Sequence, residues 1–211
     1  MKVIAINGSP NQKGNTWFAL KTAGDVLVRE GIEFEIIHVG HQSIHGCLAC
    51  KKCKDAKDSL CSIRNDGFNK HLPAIREADG IILGSPVYYS GIAGTMKCFL
   101  DRLFYVSGSN GNWMRHKAGA AVVACRRSGG SAAWNSLNFY LTISEMTVAS
   151  SRYWNIIHGA KEGEAEQDIE GIQIMQILGA NMAWLLKSRK ASISLATPPL
   201  SGGKSFLNFI R

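Results

Sequence analysis

The 211-residue chain is 45% hydrophobic and 19% charged, a composition that excludes a disordered or fibrous polypeptide. No apolar run approaches the roughly 20 residues needed to cross a bilayer, and the N-terminus shows no cleavable leader, so we expect a cytoplasmic protein without membrane contact. The net charge of +8 is spread along the chain and not gathered in one basic helix, which argues against nucleic-acid binding.

Short apolar runs alternate with helical patterns along the chain. The predicted strands span residues 2–6, 34–39, 80–84, 118–125 and 153–157, and the predicted helices span residues 15–30, 67–78, 92–104, 132–146 and 170–187. This alternation predicts an α/β fold with helices on both faces of a doubly wound parallel sheet, in the five-stranded order 2-1-3-4-5.

Three segments depart from this alternation. They are a cysteine-rich insertion at about 40–65, a Gly/Asn/Ser-rich insertion at 105–117 and an irregular tail at about 188–211. Because one domain of this length accommodates such insertions, we expect a single domain over residues 1–211.

The loop that joins the first strand to the first helix is rich in hydroxyl, amide and glycine residues (GSPNQKGNT, residues 8–16). Backbone N–H groups at a helix N-terminus bind anions, so we interpret this loop as a phosphate cradle. Gly8 and Gly14 enclose five residues, which excludes the nucleoside-triphosphate loop, and the segment does not match G-x-G-x-x-G. The alternative is an ordinary turn in which Asn15 or Thr16 caps the helix.

Two further loops, at 85–91 and 126–131, also follow predicted strands. In doubly wound sheets ligands bind beyond the carboxyl ends of the strands, where these loops meet. Pro86 stiffens the first of them, and Tyr88 or Tyr89 offers a flat surface for ring stacking. The alternatives are core or subunit packing for the tyrosines and a plain turn for Gly129-Gly130.

These loops carry a family resemblance. The segments INGSP (6–10) with GNT (14–16), GSPVYYSG (84–91) and MKCFLDR (96–102) resemble the flavodoxin-like NADPH-dependent FMN reductase family over about residues 1–150. The resemblance implies a flavodoxin-like fold, bound FMN and a homodimer or tetramer. The FMN-binding residues that it implies are Ser9, Asn11, Gly14, Asn15, Thr16, Pro86, Val87, Tyr88, Tyr89, Ser90, Gly91, Ser128, Gly129 and Gly130.

Four of the six cysteines form the series Cys47-x-x-Cys50-x-x-Cys53-x₇-Cys61. Four thiolates at short spacings hold a [4Fe–4S] cluster or, less typically, a zinc ion. The series resembles the compact motif of the iron-sulfur flavoproteins, which implies that all four are cluster ligands. The alternative is a set of reduced or partly disulfide-linked thiols.

The helix after the second loop carries Lys97, Asp101 and Arg102. The i,i+4 spacing places Lys97 and Asp101 on one face of the helix, so we expect a surface ion pair there. We assign none of the three a catalytic role, because hydride transfer to a flavin depends on stacking and alignment more than on an acid or base. Cys98 and Cys125 lie in apolar surroundings, so we expect them to be small core residues.

The leading hypothesis is an FMN-binding oxidoreductase that takes hydride from NAD(P)H and passes the electrons to a small-molecule or protein acceptor in a ping-pong cycle. A second hypothesis is an iron-sulfur flavoprotein that carries electrons between proteins. A third is a non-catalytic flavin-binding protein whose cysteine loop serves assembly.

Overall fold

The computed structural model describes residues 1–203. In chain order the elements are β1 (Lys2–Asn7), α1 (Asn15–Arg29), β2 (Glu33–His38), α2 (Lys52–Ala56), a 3₁₀ helix (Phe68–His71), α3 (Leu72–Glu77), β3 (Gly80–Tyr88), β4 (Gly91–Ile92), α4 (Gly94–Ser109), β5 (Ala118–Cys125), α5 (Gly130–Ile143), β6 (Thr147–Val148), β7 (Ile156–His158), a second 3₁₀ helix (Glu164–Gln167) and α6 (Ile169–Ser192).

The sheet follows the order β2-β1-β3-β5-β6, and β7 also pairs with β5. All of these pairings are parallel, whereas β4 forms an antiparallel hairpin with β3. The predicted order 2-1-3-4-5 is confirmed, because β6 and β7 together occupy the place of the fifth strand. The strand ends that carry the candidate loops therefore lie along one edge of the sheet.

Helices cover both faces of the sheet. Along β1 the side chains alternate, as the pleat requires: Ile4 and Ile6 join one buried cluster, while Val3 and Ala5 join the other. The first cluster packs α3, α4 and α5 against the sheet, and the second packs α1 and α6. Each face of the sheet thus buries its own apolar core, which fixes the strands that position the site.

Three elements extend beyond their predicted ends. β3 continues to Tyr88 and turns into the β4 hairpin, α4 runs to Ser109 instead of residue 104, and α6 runs to Ser192 instead of residue 187. The prediction of an insertion from residue 105 was wrong for its first turn, because Tyr105 and Val106 continue the helix face that meets the cysteine-rich segment.

The cysteine-rich segment and the tail also differ from their predicted form. The first contains the short helix α2, whereas we expected no regular structure there. Of the predicted tail, residues 188–192 are helical, residues 193–203 contain no regular helix or strand, and residues 204–211 lie outside the described part. Within residues 1–203, no helix has both the length and the apolar character that spanning a membrane requires.

Candidate functional site

The loops that follow β1, β3, β5 and β7 meet in a cleft of about 210 Å³ at the carboxyl edge of the sheet. We call it the strand-end cleft. It is lined by Ser9, Pro10, Asn11, Gly14, Asn15, Thr16, Pro86, Val87, Tyr88, Ala124, Cys125, Arg126, Gly159, Ala160 and Glu162. The structure therefore brings together all five residues predicted in the first loop and the first three predicted in the second.

Side-chain hydrogen bonds shape the loop between β1 and α1. The Asn7 Oδ1 atom accepts the Ser9 N–H at 3.0 Å, and the Ser9 Oγ atom accepts the Asn11 N–H at 3.2 Å. At the end of β2, the His38 Nε2 atom lies 2.6 Å from the Ser9 carbonyl oxygen. Burial lowers the pKa of His38, so its ring is neutral near pH 7 and can donate to that oxygen. The loop is therefore held from both sides.

The N-terminus of α1 opens into this cleft. Gly14 is its N-cap and supplies no side-chain cap, and the Phe18 N–H donates to the Gly14 carbonyl at 3.1 Å. The N–H groups of residues 15–17 lie in the first turn, where no preceding helical carbonyl is available to accept them. They can therefore donate hydrogen bonds to an anion. This arrangement suits a phosphate group.

Asn15 has a different role from the one expected of its side chain. Its Nδ2 atom donates to the Lys161 carbonyl at 2.9 Å, and its Oδ1 atom accepts the Ala165 N–H at 3.3 Å. The side chain thus ties the segment after β7 to the start of α1. Asn15 faces the cleft while doing so, and its backbone N–H is the group oriented by the helix toward an anion.

The β3–β4 hairpin forms the second wall. Its two central residues are not glycines, yet Tyr89 and Ser90 have φ values of 47° and 61°. A two-residue hairpin turn of this mirror-image type suits the twist of the strands but strains residues that carry a Cβ. The Tyr89 side chain is fully exposed at the tip. Ser85 anchors the base, because its Oγ atom accepts the Ala93 N–H at 2.9 Å.

The loop between β5 and α5 packs against this hairpin. Gly129 has a φ of 84°, and a Cβ atom there would lie 2.8 Å from Ser90 Cα. Ser128, Gly129 and Gly130 do not line the strand-end cleft but an adjoining cavity of about 410 Å³, which we call the side cavity. Cys125 lines both, so the two spaces meet at the end of β5.

Sequence reasoning missed two parts of this site. Arg126 lines the strand-end cleft and brings a cation to it, although it is not among the predicted binding residues. Gly159, Ala160 and Glu162 also line it, although we predicted no site in the segment after the fifth strand. Both segments directly follow the ends of parallel strands, which is the rule that identified the other loops.

The four clustered cysteines share a small pocket, which we call the cysteine pocket. Its volume is about 20 Å³, and it is lined by Cys47, Leu48, Cys50, Lys51, Cys53, Cys61, Ser62, Ile63, Arg102, Tyr105 and Val106. That volume is close to the space of one water molecule, so the segment must open to admit a cluster. The convergence of four thiols, none of them in a disulfide, nevertheless supplies the donor set that a [4Fe–4S] cluster needs.

The thiols of this pocket differ in environment. The Ser62 hydroxyl, 3.3 Å from Cys50 Sγ, lowers the pKa of the exposed Cys50 thiol, whereas burial raises the pKa of Cys53. Among residues 1–203, no three His, Cys, Asp or Glu side chains are grouped so as to hold a metal ion.

The predicted ion pair between Lys97 and Asp101 is present on α4, but Arg102 does not lie on that surface. Lys97 Nζ lies 2.7 Å from Asp101 Oδ1 on the surface, as predicted. Arg102 is instead fully buried and pairs with the Asp66 carboxylate. Burial is the largest single influence on Asp66 and opposes its ionisation. The hydrogen bonds from Arg102 and from the His45 and Phe68 N–H groups, together with the Arg102 charge, outweigh burial and lower the pKa of that carboxyl. The expectation for Cys98 also needs correction, since its side chain is only partly buried.

Comparison with known proteins agrees with this geometry. The family model of the NADPH-dependent FMN reductases matches residues 1–161. An iron-sulfur flavoprotein from Methanocaldococcus jannaschii is 34% identical over 194 residues, which cover 89% of this chain and 98% of that protein.

Two solved structures share the fold at low sequence identity. RosB with a bound intermediate, 8-demethyl-8-formylriboflavin-5'-phosphate, has a TM-score of 0.69 at 15% identity, covering 100% of this chain and 94% of that one. A flavodoxin from the domain Archaea has a TM-score of 0.58 at 19% identity, covering 89% and 99%. The flavodoxin-like architecture is therefore confirmed.

Proposed function

Because this chain belongs to the NADPH-dependent FMN reductase family and is thus a flavin-binding oxidoreductase, we propose that NADPH or NADH reduces its FMN and that a small-molecule or protein acceptor then takes the electrons. The observation that carries the proposal is the meeting of four strand-end loops at one cleft, with an uncapped helix N-terminus at one end. When bound, FMN supplies the ring that accepts hydride and passes electrons on.

The residues of the cleft divide this task. The first-turn N–H groups of α1, the Ser9 and Thr16 hydroxyls and Arg126 suit the phosphate. Pro86, Val87 and Tyr88 offer backbone groups and an aromatic surface to the ring. The side cavity, with Tyr153 and Trp154 on its wall, provides space in which a nicotinamide or an acceptor can approach.

The cysteine pocket supports a second part of the proposal. The four thiols line one pocket, and the relative from Methanocaldococcus jannaschii bears the name iron-sulfur flavoprotein. We propose that Cys47, Cys50, Cys53 and Cys61 hold a [4Fe–4S] cluster, which supplies one-electron chemistry beside the two-electron chemistry of the flavin. On this account the protein acceptor is a one-electron partner.

A homodimer or tetramer is also part of the proposal. Tyr89 is fully exposed at the tip of a strained hairpin beside the strand-end cleft. A large aromatic side chain in that position is suited to cover, or be covered by, a second copy of the chain.

The phosphate cradle is tested by replacing Thr16 with valine. Thr16 is buried in the first turn of α1, and loss of a hydrogen bond to a charged group typically costs about 1.5–3 kcal/mol, so we expect FMN to bind roughly 10- to 100-fold more weakly. Quenching of flavin fluorescence on titration measures the Kd. The matched control is Thr22→Val on the same helix, whose hydroxyl donates to the Phe18 carbonyl and should not affect FMN. Equal Kd values for both variants would contradict the cradle.

The donor is tested by anaerobic reduction of the FMN-loaded protein. We expect the flavin absorption to be lost after the protein is mixed with NADPH or NADH. An added quinone or free flavin should then restore the absorption. Protein that stays oxidised with both nicotinamides, yet is reduced by dithionite, would reject nicotinamide dependence. If it also kept the same oligomeric state with and without FMN, the assembly hypothesis would be favoured.

A further inference from the structure

Arg102 is the largest fully buried side chain of the described residues, and the function proposed above does not use it. It lies on α4 and lines the cysteine pocket. Its guanidinium also sits over the Phe68 ring, with Cζ 4.0 Å from the ring centroid. A buried guanidinium is costly unless its partners are well placed, so its contacts indicate what it does.

Those contacts join the two ends of the cysteine-rich segment. Nη1 donates to the His45 carbonyl, two residues before Cys47, at 3.1 Å. Nη2 donates to the Ile63 carbonyl, two residues after Cys61, at 3.1 Å. One rigid fork therefore holds the residues that flank all four cysteines.

Asp66 completes the link between these ends. Its carboxylate accepts hydrogen bonds from both Nη atoms of Arg102. Its Oδ2 atom also accepts a hydrogen bond from the His45 N–H at 3.0 Å. Both groups of the His45 backbone thus point into the same ion pair. The pair is almost entirely shielded from solvent, with side-chain exposures of 0% and 7%, so salt screens it little.

One donor of the guanidinium is left over. Arg102 Nε is buried and has no hydrogen-bond partner among the described residues. Buried N–H groups without partners are rare in folded proteins. Arg102 lines the cysteine pocket together with the four thiols, so this unpaired donor belongs to a side chain that borders them.

From this geometry we infer that Arg102 is a positioning residue for the cysteine cluster: its Nη atoms clamp the two ends of the cysteine-rich segment, and its Nε–H and fixed charge act on the sulfurs held there. The effect on the sulfurs rests on the proposed [4Fe–4S] site, whereas the clamp does not. Positive charge and hydrogen bonds to sulfur stabilise the reduced cluster and raise its reduction potential. The clamp itself exists in the protein without a cluster.

The clamp is tested on the cluster-free protein by amide hydrogen exchange. In Arg102→Gln, we expect the amides of residues 45–63 to exchange at least 10-fold faster than in the wild type, because both ends of the segment lose their anchor. Arg64→Gln is the matched control: Arg64 is in the same segment and also pairs with an aspartate, Asp58, but on the surface at 3.2 Å. Equal exchange in Arg102→Gln and the wild type would overturn the clamp.

The effect on the sulfurs is tested by redox titration of the reconstituted protein. We expect Arg102→Gln to lower the cluster's reduction potential, and Asp66→Asn, which removes a negative charge from the same pair, to raise it. Arg64→Gln should leave it unchanged. A purely structural role would reduce cluster loading in both pair variants without potential shifts of opposite sign, so that result would overturn the electrostatic half.

Folding defects do not block this test. If Arg102→Gln fails to fold, Arg102→Lys keeps the charge and loses the fork, and we expect faster exchange with a smaller fall in potential. An unchanged potential in Asp66→Asn then overturns the electrostatic half of the inference. If the wild type takes up no iron or sulfide, the cluster part of the proposed function fails, while hydrogen exchange still decides whether the clamp exists.

Discussion

Replacing Gly129 with alanine is expected to weaken FMN binding by about 100-fold, which corresponds to losing contacts worth about 2.8 kcal/mol when two loops move apart. Gly129 has a φ of 84°, and an added Cβ atom would lie 2.8 Å from Ser90 Cα and 2.9 Å from Ser90 Oγ. Neither loop can keep its position, so the hairpin and the β5–α5 loop must separate. Fluorescence titration with FMN measures the change.

A second glycine separates steric displacement from backbone strain. Gly31 has a φ of 77°, and no atom lies within 4 Å of the position a Cβ would take. Gly31→Ala should therefore lower the free energy of unfolding by about 1 kcal/mol, with FMN affinity unchanged. If Gly129→Ala binds FMN as tightly as Gly31→Ala, the two loops do not form the flavin site.

Cys53→Ser is expected to abolish cluster binding. Cys53 is the buried member of the four thiols that line the cysteine pocket, and a [4Fe–4S] cluster is held by four thiolates. After anaerobic reconstitution we expect iron and sulfide to fall from about four of each per chain to a small fraction, with loss of the broad brown absorption. FMN binding should not change, because the strand-end cleft contains none of these cysteines.

Cys98→Ser is the matched control for this variant. Cys98 lies on α4, partly buried, and is absent from the cysteine pocket. We expect it to retain the full iron content. Stoichiometric zinc in place of iron, or full iron content in Cys53→Ser, would reject the cluster as proposed.

The sheet and its loops were predictable because their causes are local. The apolar run of β1 stops at a turn and α1 begins at Asn15, as predicted, since periodicity and turn residues specify both. The end of β3 was not predictable in this way, because Tyr89 and Ser90 adopt positive φ values although neither is a glycine. Only tertiary packing against the β5–α5 loop compensates such strain, and a propensity argument does not include it.

Arg102 illustrates a second limit. On a helix, a charged residue beside Asp101 and near Lys97 suggests a solvated face. Its true partner, Asp66, lies 36 residues earlier in a segment without clear periodicity. The same limit applies to Arg126 and to the cleft residues that follow β7, whose role depends on loops meeting in space.

Helix α4 fixes the distance and the rotation between the strand-end cleft and the cysteine pocket. It begins at Gly94, directly after the hairpin wall of the strand-end cleft, and carries Arg102 to the cysteine pocket roughly 12 Å further along its axis. Each residue inserted into a helix rotates everything beyond it by about 100°. Surface loops around either site can change length independently, but one residue gained or lost between Gly94 and Arg102 would turn the arginine away from the cysteines, so the spacing within this helix is fixed to the residue.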